Sequence, residues 1–146
     1  MLTDPDLEQA FAKALEDHEF AFERFFLARL FGFEFAYDDE TCTVSLAVRP
    51  WMHNPRKSLH GGVIALGLDI SMGHLLNRTV GPAATVETKV QYLRPVTGGT
   101  VTFQGEFIKR GRALHHLQSR LFTEDSKLAA FATATWAPIE PKPDRA

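Results

Sequence analysis

One stretch of the chain combines residues that chemistry needs with residues that leave room for a ligand: L-H-G-G-V-I-A-L-G-L-D-I-S-M-G-H-L-L, from Leu59 to Leu76. Its apolar residues fall on nearly every face of a helix, so this helix is expected to be buried rather than half exposed. It holds four glycines, each costing about 1 kcal/mol against alanine in a helix interior, and one aspartate, Asp69. An unpaired carboxylate in apolar surroundings is costly, so it finds donors, shifts its pKa or faces a cleft. Gly62, Asp69 and Gly73 lie at i, i+7 and i+11 on one helical face, so positions without side chains flank the carboxylate and a substrate could approach it closely. The helix start adds the complementary half. Gly61 and Gly62 are expected to leave backbone N–H groups unpaired at the positive end of the helix dipole, suited to a developing oxyanion, and His60 stands at the same end.

The two halves do not meet within one chain. Gly61 and Asp69 are eight residues apart, about 12 Å along a helix, whereas an attacking carboxylate and its oxyanion hole must share one carbonyl group. Two chains packed antiparallel at these helices would bring Asp69 of one to His60 and Gly61 of the other, so the spacing favours a site at a dimer interface. Elsewhere, Lys109, Arg110 and Arg112 surround Gly111 in an expected hairpin turn, and Arg94 precedes Pro95 at a strand end. Such basic side chains either meet ligand phosphates or are simply solvated. Asp69 and His74 invite an acid/base pairing. His115 and His116 are adjacent and so face opposite sides of a strand, and no Cys or His spacing suggests a metal site.

Around this helix the chain divides into alternating and helical patterns. Leu7, Phe11, Leu15, Phe22, Phe26 and Leu30 predict an amphipathic helix across residues 4–31, with Pro5 in its first turn and Gly32 at its end. Phe33, Phe35 and Tyr37 alternate, an acidic turn follows, and Cys42, Val44, Leu46 and Val48 alternate in turn, which reads as two tightly joined strands. Four more strands follow the helix, near residues 85–92, 100–108, 113–123 and 128–137. In the first of them Val86, Thr88, Val90 and Tyr92 should face one way and Thr85, Glu87, Lys89 and Gln91 the other. The short turns imply antiparallel neighbours, so an α+β fold is expected: a curved sheet around one buried helix. An N-terminal segment (1–32), a main domain (33–138) and a loose tail (139–146) organise the chain.

Composition bounds the function classes. With 146 residues, 45% hydrophobic and 23% charged, the chain fits one ordinary globular domain. A formal charge of −2 provides no global field for nucleic acid or an anionic membrane. A lone cysteine, Cys42, excludes an internal disulfide, the N-terminus lacks a signal-peptide pattern, and no apolar run reaches a membrane-spanning length, so a cytoplasmic location is expected.

The run N-P-R-K-S-L-H-G-G-x6-D-x3-G from Asn54 to Gly73, followed by A-T-V-E-T-K-V-Q-Y-L-R-P and the Gly98-Gly99 turn, resembles the hotdog-fold acyl-CoA thioesterases of the phenylacetate-pathway branch. The likeness covers residues 33–138. It implies that Asp69 is nucleophile or general base, that the Gly61 amide polarises the thioester carbonyl, and that His60 orients the thioester. It further implies that Asn54 supports the site from its loop and that Thr85 holds a water near Asp69. Gly62, Gly73, Arg94, Lys109, Arg110 and Arg112 would meet the acyl-CoA substrate, with no metal or other cofactor. Homodimers with joined sheets, paired again as tetramers, are implied as well. Hotdog hydratases use an Asp and His pair, but their motif context is absent here. The chain departs from the family in its long N-terminal segment, and residues 11–35 hold eight of the twelve phenylalanines, a candidate cover for the acyl pocket. The competing reading is a non-catalytic acyl-CoA or lipid-binding hotdog protein.

Overall fold

The computed structural model describes residues 4–139. The expected tail therefore lies, from residue 140 onward, outside the described residues. Helix α1 runs Pro5–Asp17, capped by Asp4, whose Oδ1 accepts from the Asp6 and Leu7 N–H groups at 3.0 and 3.3 Å. The single helix expected to reach residue 31 breaks here. The His18 ring bonds the Ala14 carbonyl at 2.9 Å, residues 18–25 form an irregular strap, and α2 resumes at Phe26–Phe31. No glycine or proline marks the break; packing decides it. A straight helix would hold Phe11 and Phe26 about 22 Å apart, whereas their ring centroids lie 5.8 Å from each other. Gly32 ends α2 at φ 69°, and the Phe33 N–H reaches back to the Ala28 carbonyl at 3.0 Å, the glycine stop that the sequence pattern predicts.

Strands β1 (Glu34–Tyr37) and β2 (Thr41–Ala47) lead into the central helix α3 (Gly61–Thr79), which is followed by β3 (Ala83–Tyr92), β4 (Thr100–Arg110), β5 (His115–Phe122) and β6 (Leu128–Pro138). All strand neighbours are antiparallel, in the order β1-β2-β4-β5-β6-β3. The six strands form one sheet packed along α3. Small residues make the close approach possible. A Cβ on Gly67 would lie 2.4 Å from the Phe103 ring, and one on Gly105 would lie 2.5 Å from the Ser71 carbonyl oxygen. Ala129, Ala130 and Ala132 of β6 are fully buried in the same layer.

The chain does not cover α3 on every side, contrary to the expectation from its apolar residues. Leu68, Met72, Leu75 and Leu76 are fully buried, but Gly62 is exposed and Leu66, Asp69, Gly73 and Asn77 are half-buried along one strip. The edge strand β3 is exposed along almost its whole length. Its alternation also differs from the simple one. The register slips between Thr85, opposite Trp136, and Glu87, opposite Thr135, leaving Val86 as a bulge residue. Thr85 therefore shares a face with Thr88, Val90 and Tyr92 instead of opposing all three. Among the described residues no helix is long and apolar enough to cross a membrane.

Candidate active site

Asp69 sits midway along α3 on the uncovered strip, and the β3 bulge turns Thr85 toward it. The Thr85 hydroxyl donates to Asp69 Oδ1 at 3.1 Å, a direct contact where the sequence suggested a held water. Burial raises the Asp69 pKa above the ordinary carboxylate value, and the Thr85 bond offsets part of that rise. The carboxylate opens on a cleft of about 240 Å³ whose walls include Phe22, Phe25, Leu66, Ile70, His74 and Trp136. A charged nucleophile beside an apolar cleft can attack, or activate water against, a carbonyl whose substituent is greasy.

The start of α3 is built differently from the expectation at one position. His60 caps the helix, its Nδ1 accepting from the Gly62 N–H at 2.9 Å, so the neutral ring carries its proton on Nε2. The Gly62 N–H is thus occupied and does not await a ligand. The His60 carbonyl takes the Val63 and Ile64 N–H groups, so Gly61 keeps the open donor of this turn. A Cβ on Gly62 would lie 3.1 Å from His60 Nδ1, and one on Gly73, which lines the Asp69 cleft, would lie 2.7 Å from the Trp136 ring. Tyr92, which sequence reasoning left as a strand residue, donates its hydroxyl to the Gly61 carbonyl at 2.9 Å and fixes the helix start against β3. Its signal was available: it occupies the inner-face position nearest the end of β3.

Asn54 folds the preceding loop. Its Oδ1 accepts from the Arg56 N–H at 2.9 Å, and its Nδ2 donates to Ser58 Oγ at 3.0 Å. Asn54, Gly61, Tyr92 and Arg94 line a second cleft of about 360 Å³, separate from the one that Asp69 lines. The structure thus brings Asn54, His60, Gly61 and Arg94 to one end of α3, and Asp69, Thr85 and Gly73 to its middle. Arg94 Nε donates to the Leu128 carbonyl at 2.9 Å. Lys109 and Arg112 are exposed at the β4–β5 turn, while Arg110 lies 3.4 Å from Glu40 and over the Phe107 ring at 4.2 Å. Arg110, His115, Trp136 and Thr85 are opposed in turn across four strands. At the usual strand spacing, the basic turn stands about 14 Å from Thr85.

His74 does not hydrogen-bond Asp69, although both face the same cleft. Its Nδ1 lies 3.3 Å from the Tyr37 hydroxyl, which itself donates to the Glu23 carboxylate. With the Tyr37 proton committed to Glu23, His74 Nδ1 must be the donor in the remaining bond. Phe35 stacks on the imidazole at 4.6 Å, and burial holds the ring neutral, its pKa lowered to about 4.

A curved antiparallel sheet along one central helix is the hotdog fold, here with a carboxylate opening on an apolar cleft. Residues 57–130 match the thioesterase superfamily. The Pseudomonas aeruginosa thioesterase PA1618 is 31% identical over 140 residues, 92% of this chain and 90% of that protein. The chain belongs to the thioesterase superfamily, and it is a thioester hydrolase. Solved structures share its fold, two of them as follows. The BH2602 protein of Bacillus halodurans, determined with CoA, superposes with a TM-score of 0.80 at 21% identity over 96% of this chain and 97% of its own. The PaaI protein of the Escherichia coli phenylacetic acid degradation operon does so with a TM-score of 0.77 at 20% identity, over 91% and 98%.

Proposed function

We propose that this protein hydrolyses acyl-CoA thioesters to a carboxylic acid and coenzyme A, at sites shared between two copies of the chain. The observation that carries the reading is Asp69: a half-buried carboxylate, oriented by Thr85, at the mouth of an apolar cleft. Ionised Asp69 acts on the thioester carbonyl as nucleophile or general base. The carbonyl oxygen rests on the Gly61 N–H of the second copy, where the positive end of α3 stabilises its developing charge. Thiolate departs and water completes the reaction.

Three features support a shared site. Gly61 and Asp69 line separate clefts of one chain, the Asp69 strip of α3 is uncovered, and β3 offers a ten-residue edge with nothing paired to it. Edge-to-edge pairing of two β3 strands would satisfy that edge and align two α3 helices antiparallel, giving a homodimer that can pair again as a tetramer. CoA in the fold relative BH2602 supports the leaving group. The nucleotide phosphates would be met by Arg94 near Gly61 or by Lys109, Arg110 and Arg112 at the basic turn. His60, through its exposed ring, and Asn54, through its loop, complete the Gly61 side of the site.

Thiol release from acyl-CoAs by native protein and by Asp69→Asn, which keeps size and removes the charge, tests the reading. A loss of at least about 100-fold in kcat with the fold intact is expected. Binding of acyl-CoA without turnover would replace the hydrolase site with a lipid-binding one, and equal rates would mean that another residue acts.

A further inference from the structure

Glu23 is one of three non-glycine residues with positive φ among those described, at 65°, an uncommon conformation for a residue with a side chain. Its carboxylate accepts from the Tyr37 hydroxyl, the same hydroxyl that His74 Nδ1–H contacts from α3. Three segments distant in sequence, the strap 18–25, strand β1 and helix α3, are thereby tied at one point. Two phenylalanines flank this point, Phe25 half-buried and Phe22 46% exposed. Phe22 and Phe25 meet the His74 ring edge-on, with centroids at 4.8 and 6.0 Å, and both line the cleft on which Asp69 opens. Phe20, two residues from Phe22, points wholly into solvent, so the strap sorts its aromatics rather than collapsing all of them.

We infer that the strap is the acyl-selecting wall of the site: Phe22 and Phe25 close the cleft opposite Trp136, and the Glu23–Tyr37–His74 chain is the latch that positions them. The inference rests on acyl-CoA hydrolysis at Asp69. The cleft measures about 240 Å³. An apolar cavity of roughly 150 Å³ accommodates a benzene ring, so this one takes a phenyl group or a chain of about six to eight carbons and excludes the far end of a sixteen-carbon chain. Its preferred substrates are CoA thioesters of compact apolar acids. Glu23 and Tyr37 touch no substrate; they are positioning residues.

The test separates the wall from the chemistry by reading affinity as well as turnover. Benzoyl-, octanoyl- and hexadecanoyl-CoA are titrated calorimetrically into Asp69→Asn protein, alone and combined with Phe22→Ala, Phe25→Ala or Phe22→Trp, and kcat/KM is measured for the same wall variants carrying Asp69. Native walls should favour the compact acyl groups. Each alanine should raise hexadecanoyl relative to octanoyl by about tenfold, and Phe22→Trp should shift the ratio the other way. Tyr37→Phe and Glu23→Ala should loosen selection as the alanines do, through KM more than kcat, while Glu23→Gln, which still accepts from Tyr37, restores it. Affinity ratios unchanged by all three wall variants, with circular dichroism unchanged, would overturn the inference. Turnover that survives Asp69→Asn would instead overturn the catalytic reading and leave the affinity ratios to decide the wall.

Discussion

At Asp69 the fold works against the charge that the proposed hydrolysis needs. Burial raises its pKa, so between the ordinary value of 3.8 and the raised value the folded protein holds a proton that the unfolded chain has released. Stability therefore falls as pH rises through that window, and at neutral pH the whole penalty is in place. Asp69→Asn, which keeps an acceptor for Thr85, should melt a few degrees above native protein at pH 7, and the gain should vanish below about pH 4. Thermal melts at the two pH values read the difference; an earlier melt at pH 7 would mean that the carboxylate stabilises the fold. Activity should run the opposite way, with kcat/KM rising with pH to a plateau whose midpoint lies above 3.8. Asp69 was legible in the sequence because one charge in an apolar helix has few innocent explanations. Gly62 and Gly73 were legible as anomalies, and the structure adds what a side chain there would meet, the rings of His60 and Trp136.

Contacts between elements set how closely the sheet approaches α3, and Gly67 is where that closeness is tightest. A methyl group there would lie 2.4 Å from the ring of Phe103, itself fully buried. Overpacking of this kind costs about 1–3 kcal/mol, more than the roughly 1 kcal/mol that alanine adds to helix propensity. Gly67→Ala should accordingly lower the urea midpoint with an unchanged slope, and an unchanged midpoint would show that Phe103 moves aside freely. Most elements could be read from periodicity: the six strands fall where alternation puts them, Gly32 stops α2, and α3 runs 61–79 where the apolar pattern gave 59–76. Two features could not. The helix break at His18 has no Gly or Pro, because Phe22 and Phe25 leave the helix to reach His74, more than forty residues away in the chain. The bulge at Val86 is equally silent, and without it Thr85 would point away from Asp69.

For the whole molecule, a site shared between copies makes a prediction that no single-chain site makes. Gly61→Pro removes one N–H and little else, since proline suits the first helical position and His60, at ψ 134°, already has the backbone that precedes proline. Gly61→Pro and Asp69→Asn should each be inactive alone. Mixed and allowed to exchange subunits, they should recover about a quarter of native activity, because half of the dimers are mixed and each of those holds one intact site. No recovery despite exchange, followed by mass spectrometry of a tagged partner, would return both residues to one chain. The sequence by itself determined the helix that carries Asp69 and Gly61, and their separation along it, because helix periodicity and rise are local properties. That separation is the ground for proposing a site shared between two copies. Only the tertiary structure decided which strand face Thr85 takes, that Gly62 is spent on the His60 cap, and that the strap folds Phe22 and Phe25 into the cleft. The first and the last of these are settled by packing between segments far apart in the chain, which no local pattern encodes.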